Sequence, residues 1–169
     1  MATRHPWNRL LAWLIDWFCI LIWVAIVAAI GGVLYATGVI RTINPVSGNI
    51  VAVIILIVPV TFALAWRESS SREATPGKRL RHLRVSCGGA RISFGRALLR
   101  NALKIALPWE LGHTVVFTLA TGNGTIPAWI MPITALTYAL PIVYVLTLFV
   151  GDGRTLYDRI AGTVVTLGR

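Results

Sequence analysis

Long apolar runs alternate along this chain with short polar segments, and the runs are the length that crosses a bilayer. The first extends from Leu10 to about Val39 and is interrupted by a single charge, Asp16. About 20 helical residues cross the hydrocarbon core, so this run crosses with residues to spare. Its length and its carboxylate set it apart from a cleaved signal peptide, and Trp13, Trp17 and Trp23 fit an interfacial start to a permanent helix. The connection 37–49 carries the turn formers Gly38, Asn44, Pro45, Ser47 and Gly48. A second run, Ile50 to Trp66, contains Pro59, which bends a helix, and it closes on the anchor Trp66-Arg67. The last run, Ile126 to Val150, is long enough to span despite Pro127, Pro132 and Pro141.

Between the second and last runs the pattern changes. Leu83 to Cys87 and Arg91 to Ser93 flank Gly88-Gly89, a two-glycine turn signal, which predicts a hairpin with strands near 80–87 and 90–93. The β-branched stretch 163–167 is a candidate third strand, because an isolated hairpin is marginal in water. Ser93 can cap a helix from Phe94 to Leu107. On it, Arg96, Arg100 and Lys104 recur every four residues, opposite Ala97, Leu98, Ala102 and Ile105. That pattern predicts an amphipathic helix on the membrane surface with a lipid-facing basic stripe. Pro108 interrupts it, and Trp109 to Ala120 continues in apolar fashion up to the uncharged loop 121–125.

The predicted architecture is one domain over residues 1–169, an all-α membrane protein. Its four-helix bundle has spans near 10–37, 48–66, 93–121 (bent at Pro108) and 126–150. A basic loop 67–92 and a tail 151–169 add the small β-hairpin or sheet. The third span is the weak one, since 109–120 alone is too short to cross.

Composition agrees. Hydrophobic residues make up 56% and charged residues 13% of the chain, against about 25% charged in soluble domains, and mean hydropathy is +0.74. The formal net charge is +10, and its placement orients the chain. With four spans, 15 of the 16 Lys and Arg residues fall on one side and Arg41 alone on the other. The positive-inside rule then puts both termini in the cytoplasm of a multi-pass inner-membrane protein. Such a charge suits anionic phospholipid as a partner. It does not suit nucleic acid, which needs a basic, aromatic-bearing soluble surface. Cys19 and Cys87 suggest neither a disulfide framework nor a metal site.

Candidate chemistry is sparse. Asp16 lies about two turns inside the first span, where a carboxylate is costly unless paired. It is expected to be buried within reach of Arg9, Arg96, Arg100 or Arg159, serving either as a structural ion pair or as an intramembrane ion or proton site. Asp158 is expected to pair with nearby arginines in a short amphipathic turn. Glu110 and His113 share a helix face but have no second Glu-x-x-His to make a metal centre. Thr75-Pro76-Gly77-Lys78 has the look of a phosphate loop without its glycine pattern, and reads as a turn. No nucleophile has an adjacent base, so neither an enzyme nor a cofactor is expected.

Three blocks resemble the RDD family of membrane proteins: Asn8 to Asp16 opening the first helix, Thr75 to Leu80 before the hairpin, and Thr155 to Val165 at the end. The family's arginine and two aspartates look like Arg9, Asp16 and Asp158, with Arg159 beside them. The resemblance implies a transport role, ions included, without a common substrate, while eukaryotic relatives look like adaptor modules in larger complexes. Two functions therefore stand side by side. One is a small transporter, which at this size needs a homo-oligomer and uses the Asp/Arg network. The other is a non-transporting scaffold or assembly partner of another membrane protein, docked on anionic lipid.

Overall fold

The computed structural model describes residues 5–40, 44–121 and 126–168. Arg4, Arg41 and Arg169, which enter the charge tally, lie outside the described residues, as does 122–125 of the expected loop.

Three helical stretches are long and apolar enough to cross a membrane. Helix α1 covers Pro6–Ala36. The second stretch is compound: α2 (Pro45–Ala52), a π-helical turn (Val53–Ile57) and α3 (Val58–Ser69) run on as one rod. The third is α7, Ile130–Phe149. Between the last two lie α4 (Pro76–Leu80), β1 (Leu83–Cys87), β2 (Ala90–Arg91), α5 (Phe94–Asn101), a second π turn (Ala102–Ala106) and α6 (Leu107–Thr121). After α7 come α8 (Leu156–Ile160) and β3 (Val164–Leu167).

The expected third span corresponds to α5, the π turn and α6, and it differs from a plain crossing. Its first half carries Arg100 and Lys104 on the inner face. Only α6 is apolar throughout most of its length, and its 15 residues rise about 22 Å at 1.5 Å per residue, short of the ~30 Å core. Among the described residues, three candidate crossings, not four, therefore follow from length and hydropathy.

Both π turns sit just before a proline, and the reason is local. Proline donates no N–H to the preceding turn, so carbonyls one turn back need other donors. The Trp23 indole N–H donates to Ile55 O at 3.1 Å, four residues before Pro59. The Tyr144 hydroxyl donates to Leu103 O at 2.8 Å, five residues before Pro108. Each proline is thereby tied to a neighbouring span.

Beyond the ends of the spans lies a cap. A three-stranded antiparallel sheet is ordered β2-β1-β3, with Val85 opposite Val165 and Ser86 opposite Arg91. The hairpin turns on Gly88 and Gly89, both at positive φ, as a tight two-residue turn requires. The third strand forms as the sequence suggests. The first strand begins later than expected, because residues 76–80 form α4 instead, and the second is shorter. One sheet face packs Leu83, Val85 and Val165 on Ala12, Ala65 and Ala97. A separate core, Ile20, Val60, Leu64 and Ile105, lies deeper between the long helices. In α1 the sequence Ala12, Asp16, Ile20 steps from the cap core through a charge to the deeper core. In α5 and its π turn Ala97, Arg100, Ile105 do the same. A charged layer thus separates two apolar ones.

Candidate functional site

The layer is a chain of buried ion pairs. Arg100, on α5, is 1% exposed and bridges two acids. Its Nε donates to Asp158 Oδ1 at 2.8 Å, and its Nη1 donates to Glu68 Oε1 and Oε2 at 2.6 and 2.7 Å. Its guanidinium carbon also lies 5.2 Å from the ring centre of Tyr157. Asp158 accepts in addition from Arg9, which reaches across from α1 and donates to Gly153 O as well. Glu68, at the end of α3, accepts from Lys78 Nζ and from Asn101 Nδ2 at 2.9 Å. Five segments distant in sequence, α1, α3, α4, α5 and α8, are joined by this one network. Desolvating such charges is expensive, and only complete pairing offsets the cost.

Local structure aims each member. Asp158 sits at the third position of α8, where Thr155 and Asp158 form a reciprocal capping box. The Thr155 hydroxyl donates to Oδ2 at 2.8 Å and the Thr163 hydroxyl to Oδ1 at 3.3 Å. Burial alone would push the Asp158 carboxyl up, but Arg100 and Arg9 outweigh it and hold this acid well below the usual carboxylate range. Lys78 goes the other way. Burial and the Arg100 guanidinium bring its amine down to about 7, against the pull of Glu68.

Asp16 is buried, as expected, but its partners are not basic. Oδ2 accepts from the Thr75 hydroxyl at 2.6 Å and Oδ1 from the Gly77 N–H at 2.8 Å. No Lys or Arg forms an ion pair with Asp16 among the described residues, which corrects the expected pairing with Arg9, Arg96, Arg100 or Arg159. The first turn of α4 takes the counter-charge's place, since its free N–H groups suit an anion. Thr75-Pro76-Gly77-Lys78 is thus an anion cradle after all, filled by the chain's own carboxylate.

Two further expectations change. Arg100 and Lys104 do not face lipid headgroups. They are buried, while Phe94, Leu99 and Leu107 are exposed and Arg96 points outward near Cys87. The amphipathic helix is reversed because the acids it needs, Glu68 and Asp158, lie inside. Arg159 stays out of the network and pairs with Asp152 at 3.0 Å on the surface.

Sequence reasoning missed Glu68 and Lys78. The available signal was the scarcity of acids: in a chain with six Asp and Glu, a Glu at the end of an apolar helix calls for a partner, and Glu68 finds its cations in Lys78 and Arg100. A second polar group lies deeper, between α2 and α6. Asn49 Nδ2 donates to Glu110 Oε1 at 2.7 Å, and the Trp109 indole donates to His113 Nε2 at 3.1 Å. Glu110 Oε2, Asn49 Oδ1 and His113 Nδ1 are buried without a hydrogen-bond partner. Among the described residues no group of His, Cys, Asp and Glu could hold a metal ion.

No curated protein and no solved structure matches the chain. The family model described as RDD family matches residues 3–162, nearly the whole length. The three blocks that carry the resemblance bring Arg9, Lys78 and Asp158 to the charged layer, where Glu68 and Arg100 from outside them meet them, and the chain belongs to the RDD family.

Proposed function

We propose that this protein moves protons, alone or coupled to a small solute, across a membrane, with Glu110 and His113 as its intramembrane ionisable pair. One observation carries this reading: three buried polar atoms of Glu110, Asn49 and His113, gathered between α2 and α6, are left without partners. Buried polar groups are nearly always paired, and an ionisable group at membrane depth is by default functional. The Trp109 indole N–H donates to His113 Nε2 at 3.1 Å, so the neutral imidazole keeps its proton on the unpartnered Nδ1. Arg9, Asp158, Arg100, Glu68 and Lys78 are then the frame, not the path.

In this reading α1, the α2–α3 rod, α6 with its charged lower half, and α7 are four crossings. The basic cap and both termini face the cytoplasm of the cell membrane, as the asymmetry of Lys and Arg supports. The exposed apolar faces of α1 and α7 meet lipid or further copies of the chain. The competing scaffold role draws on the ion pairs of Arg9, Lys78 and Arg100 with Glu68 and Asp158, which do no more than fasten the cap. Purified protein in liposomes with an entrapped pH dye decides between them. Transport predicts a faster collapse of an imposed pH gradient than in empty liposomes, and equal rates leave the scaffold.

A further inference from the structure

The cap and the long helices enclose a cavity of about 100 Å³, lined among others by Arg9, Asp16, Trp17, Lys78, Arg100 and Lys104. That volume holds about three waters or one small oxyanion, at roughly 30 Å³ per water. The surrounding acids are already engaged. Both oxygens of Asp16 accept from Thr75 and Gly77. Glu68 is shared by Lys78, Arg100 and Asn101, and Asp158 by Arg9 and Arg100. Lys104 acts on Glu68 only from beyond ion-pair distance. It is 7% exposed and forms no ion pair among the described residues. The indole N–H of Trp17, which lines the same cavity, is also buried without a partner. Ammonium and indole N–H are both donors that cannot accept. Arg9, Lys78, Arg100 and Lys104 line the cavity and outnumber by one the acids around it, Asp16, Glu68 and Asp158, so an anion meets an uncompensated positive charge and an unpartnered N–H.

We propose that this cavity is an anion site, taking a phosphate-class oxyanion held by Lys104 and Trp17. The chemistry is shared by inorganic phosphate and by the phosphate of a lipid headgroup entering between α1 and α7. The site stands apart from the proton-transport reading, because it is tested by equilibrium binding in protein that need not transport.

The test is titration of the detergent-purified full chain with inorganic phosphate, following tryptophan fluorescence and the unfolding temperature. Binding should change the fluorescence saturably and raise the unfolding temperature. Lys104→Met should weaken the apparent affinity at least ten-fold and Trp17→Phe several-fold, while Lys104→Arg retains binding. In phosphate-free buffer Lys104→Met should unfold within a few degrees of wild type, since it removes no ion pair, so its loss of binding is not a loss of fold. Repeating the titration in nanodiscs of phosphatidylglycerol and of phosphatidylcholine separates the sources. A response abolished by phosphatidylglycerol assigns the site to a lipid headgroup, and one that persists assigns it to the free anion. No saturable response in detergent, or one unchanged in Lys104→Met, overturns the proposal.

Discussion

Gly77 rests directly on Ala12: a Cβ added at Gly77 would stand 2.0 Å from the Ala12 carbonyl oxygen. No side chain fits there, and the contact brings the first turn of α4 onto the carboxylate of Asp16. Gly77→Ala should therefore force α4 off α1 and break both hydrogen bonds to Asp16. The expected loss is about 3 kcal/mol, the upper part of the usual range for overpacking, measured as a drop in unfolding free energy in detergent. A variant as stable as wild type would show that α4 is not clamped.

Asp16 itself should be milder. Its partners are a hydroxyl and a backbone N–H, and asparagine keeps one carbonyl oxygen while the Thr75 hydroxyl can turn to accept. Asp16→Asn is expected to cost about 1 kcal/mol and Asp16→Ala about 2 to 3 kcal/mol, the scale of a lost buried hydrogen bond and of orphaned donors. A cost for Asp16→Asn as large as that of breaking a buried ion pair, about 3–5 kcal/mol, would mean that a cation faces this carboxylate.

Tyr144→Phe removes the hydroxyl that serves the Leu103 carbonyl behind Pro108. The ring stays and the carbonyl loses its donor, so a loss of about 1–2 kcal/mol is expected. Thermal unfolding of the variant beside Trp23→Phe, which strips Ile55 O of its indole donor, should show comparable drops if both prolines are tied down in this way.

The pH dependence of stability should have two limbs. Asp158 is held below its ordinary value of about 3.9, so the unfolded chain binds the proton more readily. Its stabilising contribution is full above about pH 4 and is lost as pH falls below that. Lys78 is held near 7 against about 10.4 unfolded. Between those values the unfolded chain again carries more protons, so stability rises with pH from about 7 toward 10. Asp158→Asn should flatten the acid limb and Lys78→Met the alkaline one, each read from unfolding midpoints across the pH series. Unchanged slopes would place these groups outside the buried layer.

How far the sequence reaches is clearest in individual residues. The apolar runs at α1 and α7, the Gly88-Gly89 hairpin and the third strand at 164–167 were all legible from period, length and turn chemistry. The pairing of Arg9 with Asp158 was not legible: the sequence set Arg9 beside Asp16 and Asp158 beside arginines near its own turn, and only the fold brings α1 and α8 together. The direction of the α5 stripe was not legible. Helical spacing puts Arg96, Arg100 and Lys104 on one side, but whether that side faces lipid or acids depends on Glu68, distant in sequence. Nor could spacing show that Asp16 is met by a helix start instead of an arginine. An N–H group bears no mark in sequence, and only the close approach of Gly77 brings it there.

The central claim is that the charged layer is a frame and the Glu110 and His113 pair is the working site. Stability and proton flux measured together on Asp158→Asn and Glu110→Gln test it most directly. Asp158→Asn leaves Arg9 and Arg100 without their shared counter-charge and should lower stability by about 3–5 kcal/mol. Glu110→Gln should keep the unfolding temperature within a few degrees and cut flux at least ten-fold. An Asp158→Asn protein of full stability without flux, or a Glu110→Gln protein with wild-type flux, would contradict the account.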